Sequence, residues 1–268
     1  MIAADAPQPA TILSQIEASQ TRARAVFRLK SAATWLTLIG LVLVGLYATG
    51  NIDTAFIGLW GPFIIGGAGL TLLLSVVSIF FATILALIGA MGRISPNPYF
   101  NGVASLYVSL VRGTPLIVQI YFIYLALPQV GIVLPAIPSG IIALSFNYGA
   151  YMTEIFRAGI QAVPQGQREA AESLGMSERL VMRRIVLPQA LRIVIPAIGN
   201  DFVAMLKDSS LVSILAVEEL LFRSRLIGGQ NFRSLETLLI AAAVYWILTI
   251  TFSYFQERLE RRMARGDR

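Results

Sequence analysis

The chain has 268 residues, of which 56% are hydrophobic and only 13% are charged. An average soluble domain carries about 25% charged residues, and so large a deficit is typical of a protein whose surface mostly faces lipid. Cysteine and histidine are absent, which excludes disulfides, thiol nucleophiles, histidine general bases and histidine-ligated metals. We therefore predict an all-α polytopic membrane protein that has no catalytic site and no metal site.

Nucleotide and nucleic-acid binding are also disfavoured. The two lysines, Lys30 and Lys207, do not follow the glycine-rich loop that places Gly-Lys-Ser/Thr around ATP phosphates. We therefore expect no cofactor on this chain. The net charge of +6 is better explained by membrane topology than by nucleic-acid binding, because the basic residues concentrate in a few segments between apolar stretches.

Six apolar stretches are close to or above the ~20 residues that cross ~30 Å of hydrocarbon. The predicted spans are 32–49, 63–91, 102–127, 132–160, 191–217 and 236–256. Residues 1–31 are predicted to be a polar tail, 32–61 an extra N-terminal helix with its outer loop, 62–258 the main transmembrane domain and 259–268 a basic tail. Several spans contain proline, glycine or a charge, which is tolerated where helices line a cavity.

The basic residues predict the orientation of these spans. They concentrate before the first span, between the fourth and fifth, and after the sixth, whereas Arg223, Arg225 and Arg233 fall on the other side. Short loops rich in lysine and arginine lie on the cytoplasmic side of a membrane. Both termini and the loop 161–190 are therefore predicted to be cytoplasmic.

This loop is too polar to be a span and too regular to be a slack linker, and it is predicted to form two short helices. Glu169 is placed in the first turn of the first helix, where a carboxylate interacts favourably with the helix dipole. Ala170 and Ala171 give this helix a small-residue face that another backbone can approach closely. Gly175 is suited to the left-handed conformation that ends many helices.

The second predicted helix begins with Ser177 as its N-cap residue and runs to Leu187. Pro188 lacks a backbone donor and is expected to end it. The two helices together are predicted to present a knob on the cytoplasmic side.

The spacing within this loop resembles the cytoplasmic motif of the permease subunits of ABC importers. Glu169-Ala170-Ala171 is followed after three residues by Gly175, and after nine more by Ile185-x-Leu187-Pro188. Other segments resemble the polar amino acid permeases of that superfamily: Arg112–Leu116, Ala150–Ile155, Gly166-Gln167, Pro188–Arg192, Lys207–Leu211 and Gly69-x-Thr71-Leu72. The resemblance extends over roughly residues 62–258.

The resemblance implies a fold and a set of partners. The fold is the five-helix core of type I importers, to which span one adds a helix that the shortest family members lack. The partners are a dimer of ATP-binding subunits that holds ATP and Mg, a second permease subunit that is identical or similar, and an extracytoplasmic amino-acid-binding protein. The location is the bacterial inner membrane. The residues predicted to couple to the ATPase are Glu169, Ala170, Ala171, Gly175, Leu180, Leu187 and Pro188.

Polar residues inside the predicted spans are candidates for a substrate path, because an ionisable group at membrane depth costs about 2.5–3.5 kcal/mol. An amino acid zwitterion needs both an acceptor and a donor in its cavity. Asp201 is the favoured partner for an ammonium or guanidinium group. The candidates are Asn147, Glu154, Asn200, Asp201 and Lys207.

Structural roles are open for several of these groups. Lys207 and Asp208 are either part of the path or a structural pair beside a helix break. Glu154 is close enough to the cytoplasmic end of its span to be an interfacial residue. Arg112 is expected to hold backbone carbonyls where the helix breaks at Pro115, and the alternative is a role in binding the substrate.

Two other functions are weighed against the importer. A gradient-driven amino acid carrier also uses broken helices and charges at mid-membrane depth, although such carriers usually contain two inverted repeats, and none is evident here. If the protein were a membrane scaffold or sensor without transport, the polar residues within the spans would have no functional role. The sequence does not specify which amino acid is carried.

Overall fold

The computed structural model describes residues 9–48, 50 and 52–264. All regular secondary structure in this part of the chain is helical. The helices are α1 (Pro9–Ala48), α2 (Thr54–Gly66), α3 (Ala68–Ile94), α4 (Pro98–Arg112), α5 (Leu116–Tyr121), α6 (Ala136–Gln161), α7 (Gln165–Ser173), α8 (Glu178–Val181), α9 (Leu187–Asp208), α10 (Leu220–Asn231) and α11 (Ser234–Ala264). Shorter π and 3₁₀ turns continue α5, join α8 to α9 and follow α9.

The helices agree with an all-α membrane protein. Among the described residues, Ala18–Ala48, Thr54–Ile94 and Ser234–Met263 are long and apolar enough to cross a bilayer, and α4 with the helix after it adds a fourth if the bent pair is one span. The other two predicted spans correspond to α6 and α9, which carry the candidate polar residues. The predicted count of six is compatible with this set.

The chain divides into two compact units, Met1–Thr54 and Ala55–Arg268. The first unit contains α1, a single 40-residue helix. The described part of the predicted polar tail, from Pro9 to Ser31, is therefore continuous with the first predicted span. Residues 1–8 of that tail and 265–268 of the basic C-terminal tail lie outside the described residues.

The core of the second unit is the close packing of α3 against α6. Gly89 lies so near Thr153 that an added Cβ would be 2.3 Å from its Oγ1, and a Cβ on Gly149 would be 2.9 Å from the Cβ of Leu85. Small residues at three- and four-residue spacing allow membrane helices to approach in this way. The buried small residues of α3 are Thr71, Ser75, Ser78, Ala82, Ala86, Gly89 and Ala90.

A buried carboxyl group joins three helices at the opposite end of α3 from Arg93. The side chain of Glu219 is fully buried and caps α10 by accepting a hydrogen bond from the backbone N–H of Phe222 at 2.7 Å. It also accepts hydrogen bonds from Thr71 Oγ1 on α3 at 3.3 Å and from the Tyr245 hydroxyl on α11 at 2.5 Å. Glu219 therefore fastens the start of α10 to both neighbouring helices.

We expect Tyr245→Phe to lower the stability of the folded chain. The substitution removes a donor to Glu219, and a hydrogen bond to a charged group contributes about 1.5–3 kcal/mol. Thermal unfolding of the detergent-solubilised chain measures the effect. Tyr254→Phe on the same helix is the control because that side chain is 55% exposed. Equal losses in the two variants would contradict a specific role for the contact with Glu219.

Candidate functional site

The polar loop between α6 and α9 is folded as two short helices, as predicted from the sequence. Helix α7 ends at Ser173, and Gly175 adopts the left-handed conformation with φ of 79°. Backbone hydrogen bonds from Gly175 to Glu172 and from Met176 to Ala171 close the turn. Ser177 occupies the N-cap position of α8, although its side chain makes no capping hydrogen bond. The turn is thus fixed by its backbone.

Two details of the predicted loop are wrong. Helix α7 begins at Gln165, so Glu169 lies beyond the first turn and away from the N–H groups that produce the dipole effect. Pro188 does not end a helix but is near the start of α9. A π turn over Met182–Val186 joins α8 to α9, and proline is accepted at the first positions of a helix, where its missing N–H has no intrahelical partner.

The predicted coupling residues divide between the inside and the surface of this loop. Ala171 is only 4% exposed and packs with Val163, Val181 and Val186, so it stabilises the loop from within. The other side chains of the predicted set are exposed, or half-buried in the case of Leu180: Glu169, Ala170, Gly175, Leu180, Leu187 and Pro188.

The most prominent apolar side chain of the loop was not predicted. Leu174 is the C-cap residue of α7 and is 84% exposed, directly before the left-handed Gly175. Its sequence signal is a single leucine among polar residues at the end of the first helix. A cavity of about 580 Å³ is lined by side chains from α8 to the start of α9, which include Met182, Arg183 and Leu187.

The sequence Arg112-Gly113-Thr114-Pro115 breaks the third predicted span. Helix α4 ends at Arg112, and the next helical stretch is bent from it by 105°. The exposed carbonyls are held by Gln119, whose Nε2 donates to Val111 O at 2.8 Å and to Thr114 O at 3.1 Å. Gln119 therefore takes the role that the sequence analysis gave to Arg112. No motif in the sequence marks Gln119 for this role.

Arg112 instead lines a polar cavity of about 580 Å³ between the helix break, α6 and α9. Its guanidinium carbon lies 5.1 Å from the centre of the Tyr151 ring, a cation–π contact. Asn147 and Tyr148, which are about halfway along α6, also line the cavity. The cavity is therefore at mid-helix depth, and its size falls in the range of ligand sites, ~300–1,000 Å³.

Helix α9 contributes acidic side chains to this cavity. Asp201 and Asp208 are seven residues apart and therefore share one face of the helix. Asp208 Oδ2 accepts a hydrogen bond from the Tyr148 hydroxyl at 2.7 Å. The buried Oδ2 of Asp201 has no hydrogen-bond partner among the described residues. Most buried polar atoms are hydrogen-bonded, so this oxygen is an acceptor whose hydrogen bond is not made within the described residues.

The cavity unites two of the predicted substrate-path residues, Asn147 and Asp201, and leaves three outside. Asn147 Nδ2 donates to Gln119 Oε1 at 3.3 Å, which connects the cavity to the helix break. Asn200 and Lys207 share the adjacent face of α9 and are exposed. Lys207 forms no ion pair with Asp208 within the described residues, since consecutive helical side chains point in different directions.

Glu154 belongs to an ion-pair cluster nearer the loop end of α6. Its carboxylate lies 2.9 Å from Arg93 Nε and 2.7 Å from Arg157 Nη2. Arg93 also donates to the Ser105 hydroxyl, and its backbone carbonyl accepts from Asn101. The cluster joins α3, α4 and α6, so both oxygens of Glu154 are occupied by this chain.

An all-α chain with a polar cavity at mid-helix depth and a structured polar loop has the organisation of the membrane subunit of a transporter. The family described as binding-protein-dependent transport system inner membrane component matches residues 82–265. The chain is 42% identical over 205 residues to the L-cystine transport system permease protein TcyB of Bacillus subtilis (strain 168), covering 76% of this chain and 88% of TcyB.

Another relative and two solved structures agree with this match. The arginine transport system permease protein ArtQ of Bacillus subtilis (strain 168) is 35% identical over 207 residues, covering 77% of this chain and 94% of ArtQ. An amino acid ABC transporter crystallised with histidines is 39% identical, with a TM-score of 0.76 over 79% of this chain and 99% of its own. The MetNI methionine ABC transporter, 18% identical with a TM-score of 0.66, shares the fold.

The chain belongs to the family of binding-protein-dependent transport system inner membrane components. It is a multi-pass permease subunit of an ABC importer, as the sequence resemblance predicted.

Proposed function

We propose that this permease forms the translocation path for a polar amino acid that an extracytoplasmic binding protein delivers. The single observation that supports a polar amino acid as the substrate is the polar cavity between α4, α6 and α9. It contains a cationic side chain, Arg112, and the unpartnered carboxylate oxygen of Asp201. The relatives' names support an amino acid, and they differ in the amino acid they specify.

In this proposal the two charged groups bind the two charged ends of the substrate. The guanidinium of Arg112 presents several donors to a carboxylate. Asp201 accepts a hydrogen bond from an ammonium group, either the α-amino group or that of a cationic side chain. Asn147 adds a polar side chain to the cavity from α6. Glu154 contributes to the path indirectly, by holding α3, α4 and α6 together at one end.

Asn200 and Lys207 support the proposal of a second permease subunit, identical or similar to this one. Both are exposed on α9, in the predicted fifth span. A charged group that faces lipid in the middle of a span costs about 2.5–3.5 kcal/mol, and the cost falls if the group faces an aqueous path. We therefore assign this face of α9 to a water-filled path between two permease subunits.

The loop α7–α8 is proposed to dock on a subunit that binds ATP and Mg, since this chain has no P-loop of its own. Leu174 is the apolar tip, Ala170 and Gly175 permit close approach, and Glu169 offers a carboxylate to donors on the partner. Ala171 stabilises the loop from inside, whereas Leu180 is half-buried at its surface. The remaining predicted coupling residues, Leu187 and Pro188, begin the helix that leads to the cavity.

This arrangement requires the loop, and with it both termini, to be cytoplasmic. We propose that the protein resides in a bacterial inner membrane, with the binding protein on the opposite side. The segment with α10 and the arginines Arg223, Arg225 and Arg233 then faces the binding protein.

The proposal is tested by purifying the chain from its native membrane in mild detergent. We expect an ATP-binding subunit to co-purify and its ATP hydrolysis to rise when binding protein and one amino acid are added. That result also identifies the amino acid and reveals any second kind of permease subunit. A chain that purifies alone and transports on an ion gradient would replace the importer by a gradient-driven carrier.

A further inference from the structure

Helix α1 belongs to the part of the chain that the family match, residues 82–265, does not include. From Ala18 to Ala48 it contains no acidic residue. Its four basic residues, here called the basic ring, are Arg22, Arg24, Arg28 and Lys30. All four are exposed, and their side chains make no hydrogen bond or ion pair within the described residues.

The basic ring surrounds the helix and does not form a stripe along one side. At about 100° per residue, Arg24 and Arg28 point to one side of the helix, about 40° apart, and Arg22 and Lys30 point to the other side, about 80° apart. A docking face for one protein partner would instead place all of its charges on one side of the helix, at three- and four-residue spacing throughout. A ring of positive charge fits an environment that is negatively charged on every side.

The position of the ring along the helix identifies that environment. The uncharged apolar segment begins directly after Lys30, and the distance along the helix from Lys30 to Tyr47 is roughly 26 Å. Trp35 and Tyr47 are 59% and 64% exposed near the two ends of this segment, where aromatic residues favour the membrane–water boundary. The ring therefore begins at the depth of the phospholipid headgroups, at Lys30, and extends about 12 Å along the axis toward Arg22.

We propose that the basic ring of α1 binds the headgroups of anionic phospholipids. The apolar segment inserts α1 in the bilayer, and the ring collects acidic lipids around the point where the helix emerges. The helix thus gives this permease an annulus of anionic lipid.

The test uses the full chain in a neutral detergent. The chain has no cysteine, so Ala25→Cys provides a unique site for a polarity-sensitive dye within the ring. The labelled chain is titrated with dioctanoyl phosphatidylglycerol or with dioctanoyl phosphatidylcholine. We expect saturable binding of the anionic lipid and weaker binding of the zwitterionic lipid. Added salt should lower the affinity for the anionic lipid.

Replacing Arg22 and Arg24 by glutamine, or Arg28 and Lys30 by glutamine, should each reduce the affinity for phosphatidylglycerol. Each basic residue near an anionic surface contributes about 1 kcal/mol, or about fivefold, so each pair is expected to lower the affinity roughly 25-fold. The control replaces Arg258, Arg261 and Arg262 of α11, a helix that also carries Glu257 and Glu260. This replacement should leave the signal from the dye on α1 unchanged.

Equal affinity for the two lipids, or unchanged affinity after removal of the ring, would overturn the proposal. Loss of a protein subunit from the purified complex, with no change in lipid affinity, would also overturn it in favour of an acidic protein surface.

Discussion

Asp201→Asn is expected to lower amino acid uptake and substrate-stimulated ATP hydrolysis by about tenfold to a hundredfold. The amide keeps the size of the side chain and an acceptor oxygen but removes the negative charge. A hydrogen bond to a charged group contributes about 1.5–3 kcal/mol, which corresponds to this range of affinity. The measurement is uptake into proteoliposomes that contain the assembled transporter, with ATP hydrolysis followed in parallel.

The same variant should be at least as stable as the unmodified chain. The buried Oδ2 of Asp201 has no partner among the described residues, so removal of its charge breaks no observed contact. Asp208→Asn is the comparison variant, because it removes the charge of a carboxylate that does have a partner: Asp208 Oδ2 accepts a hydrogen bond from the Tyr148 hydroxyl at 2.7 Å. The control for charge alone is Glu257→Gln on α11, whose side chain is 67% exposed outside the cavity. Full uptake in Asp201→Asn would remove Asp201 from the path.

Gly175→Trp is expected to uncouple ATP hydrolysis from transport, with uptake reduced at least tenfold. Gly175 has φ of 79°, a conformation that L-residues other than asparagine and aspartate adopt at a cost. Apart from the two neighbouring residues, an added Cβ would meet no atom of the described part of the chain within 4 Å, so the indole would project from the tip of the loop. It would stand beside Leu174 on the surface proposed to dock on the ATP-binding subunit.

Gly175→Asn is the matched variant, because asparagine tolerates the left-handed conformation and is small. It should retain most uptake. Leu174→Ser tests the apolar tip with the backbone unchanged, and it should weaken co-purification of the ATP-binding subunit. The assay measures uptake and ATP hydrolysis in one preparation. Normal coupling in Gly175→Trp would show that this turn is not the docking surface.

Local features of the coupling loop could be predicted from the sequence because they depend on a few neighbouring residues. Gly175 was correctly predicted to be left-handed, since only a residue without Cβ adopts that conformation freely. Pro188 was misjudged because its effect depends on the preceding turn. A π turn before α9 places the proline where its missing N–H costs little.

The cavity could be predicted only in part. Asn147 and Asp201 are marked by their polarity within apolar stretches, and both line it. Which face of α9 points inward depends on how that helix packs, so the sequence did not separate Asp201 from the neighbouring Asn200. Gln119 and Tyr148 were missed because their contacts, with the broken end of α4 and with Asp208, join distant parts of the chain.

The π turn between α8 and α9 has a mechanical consequence. From Glu178 to Asp208 the chain is helical without an intervening loop, and Asp201 lies on this segment roughly 35 Å along the axis from Glu178. A flexible linker would absorb a displacement of α8. A continuous helical segment transmits it, although Pro196 inside α9 is a point at which the segment can bend. The carboxylate of Asp201 in the cavity and the residues of α8 that follow the coupling turn are thus parts of one continuous helical segment.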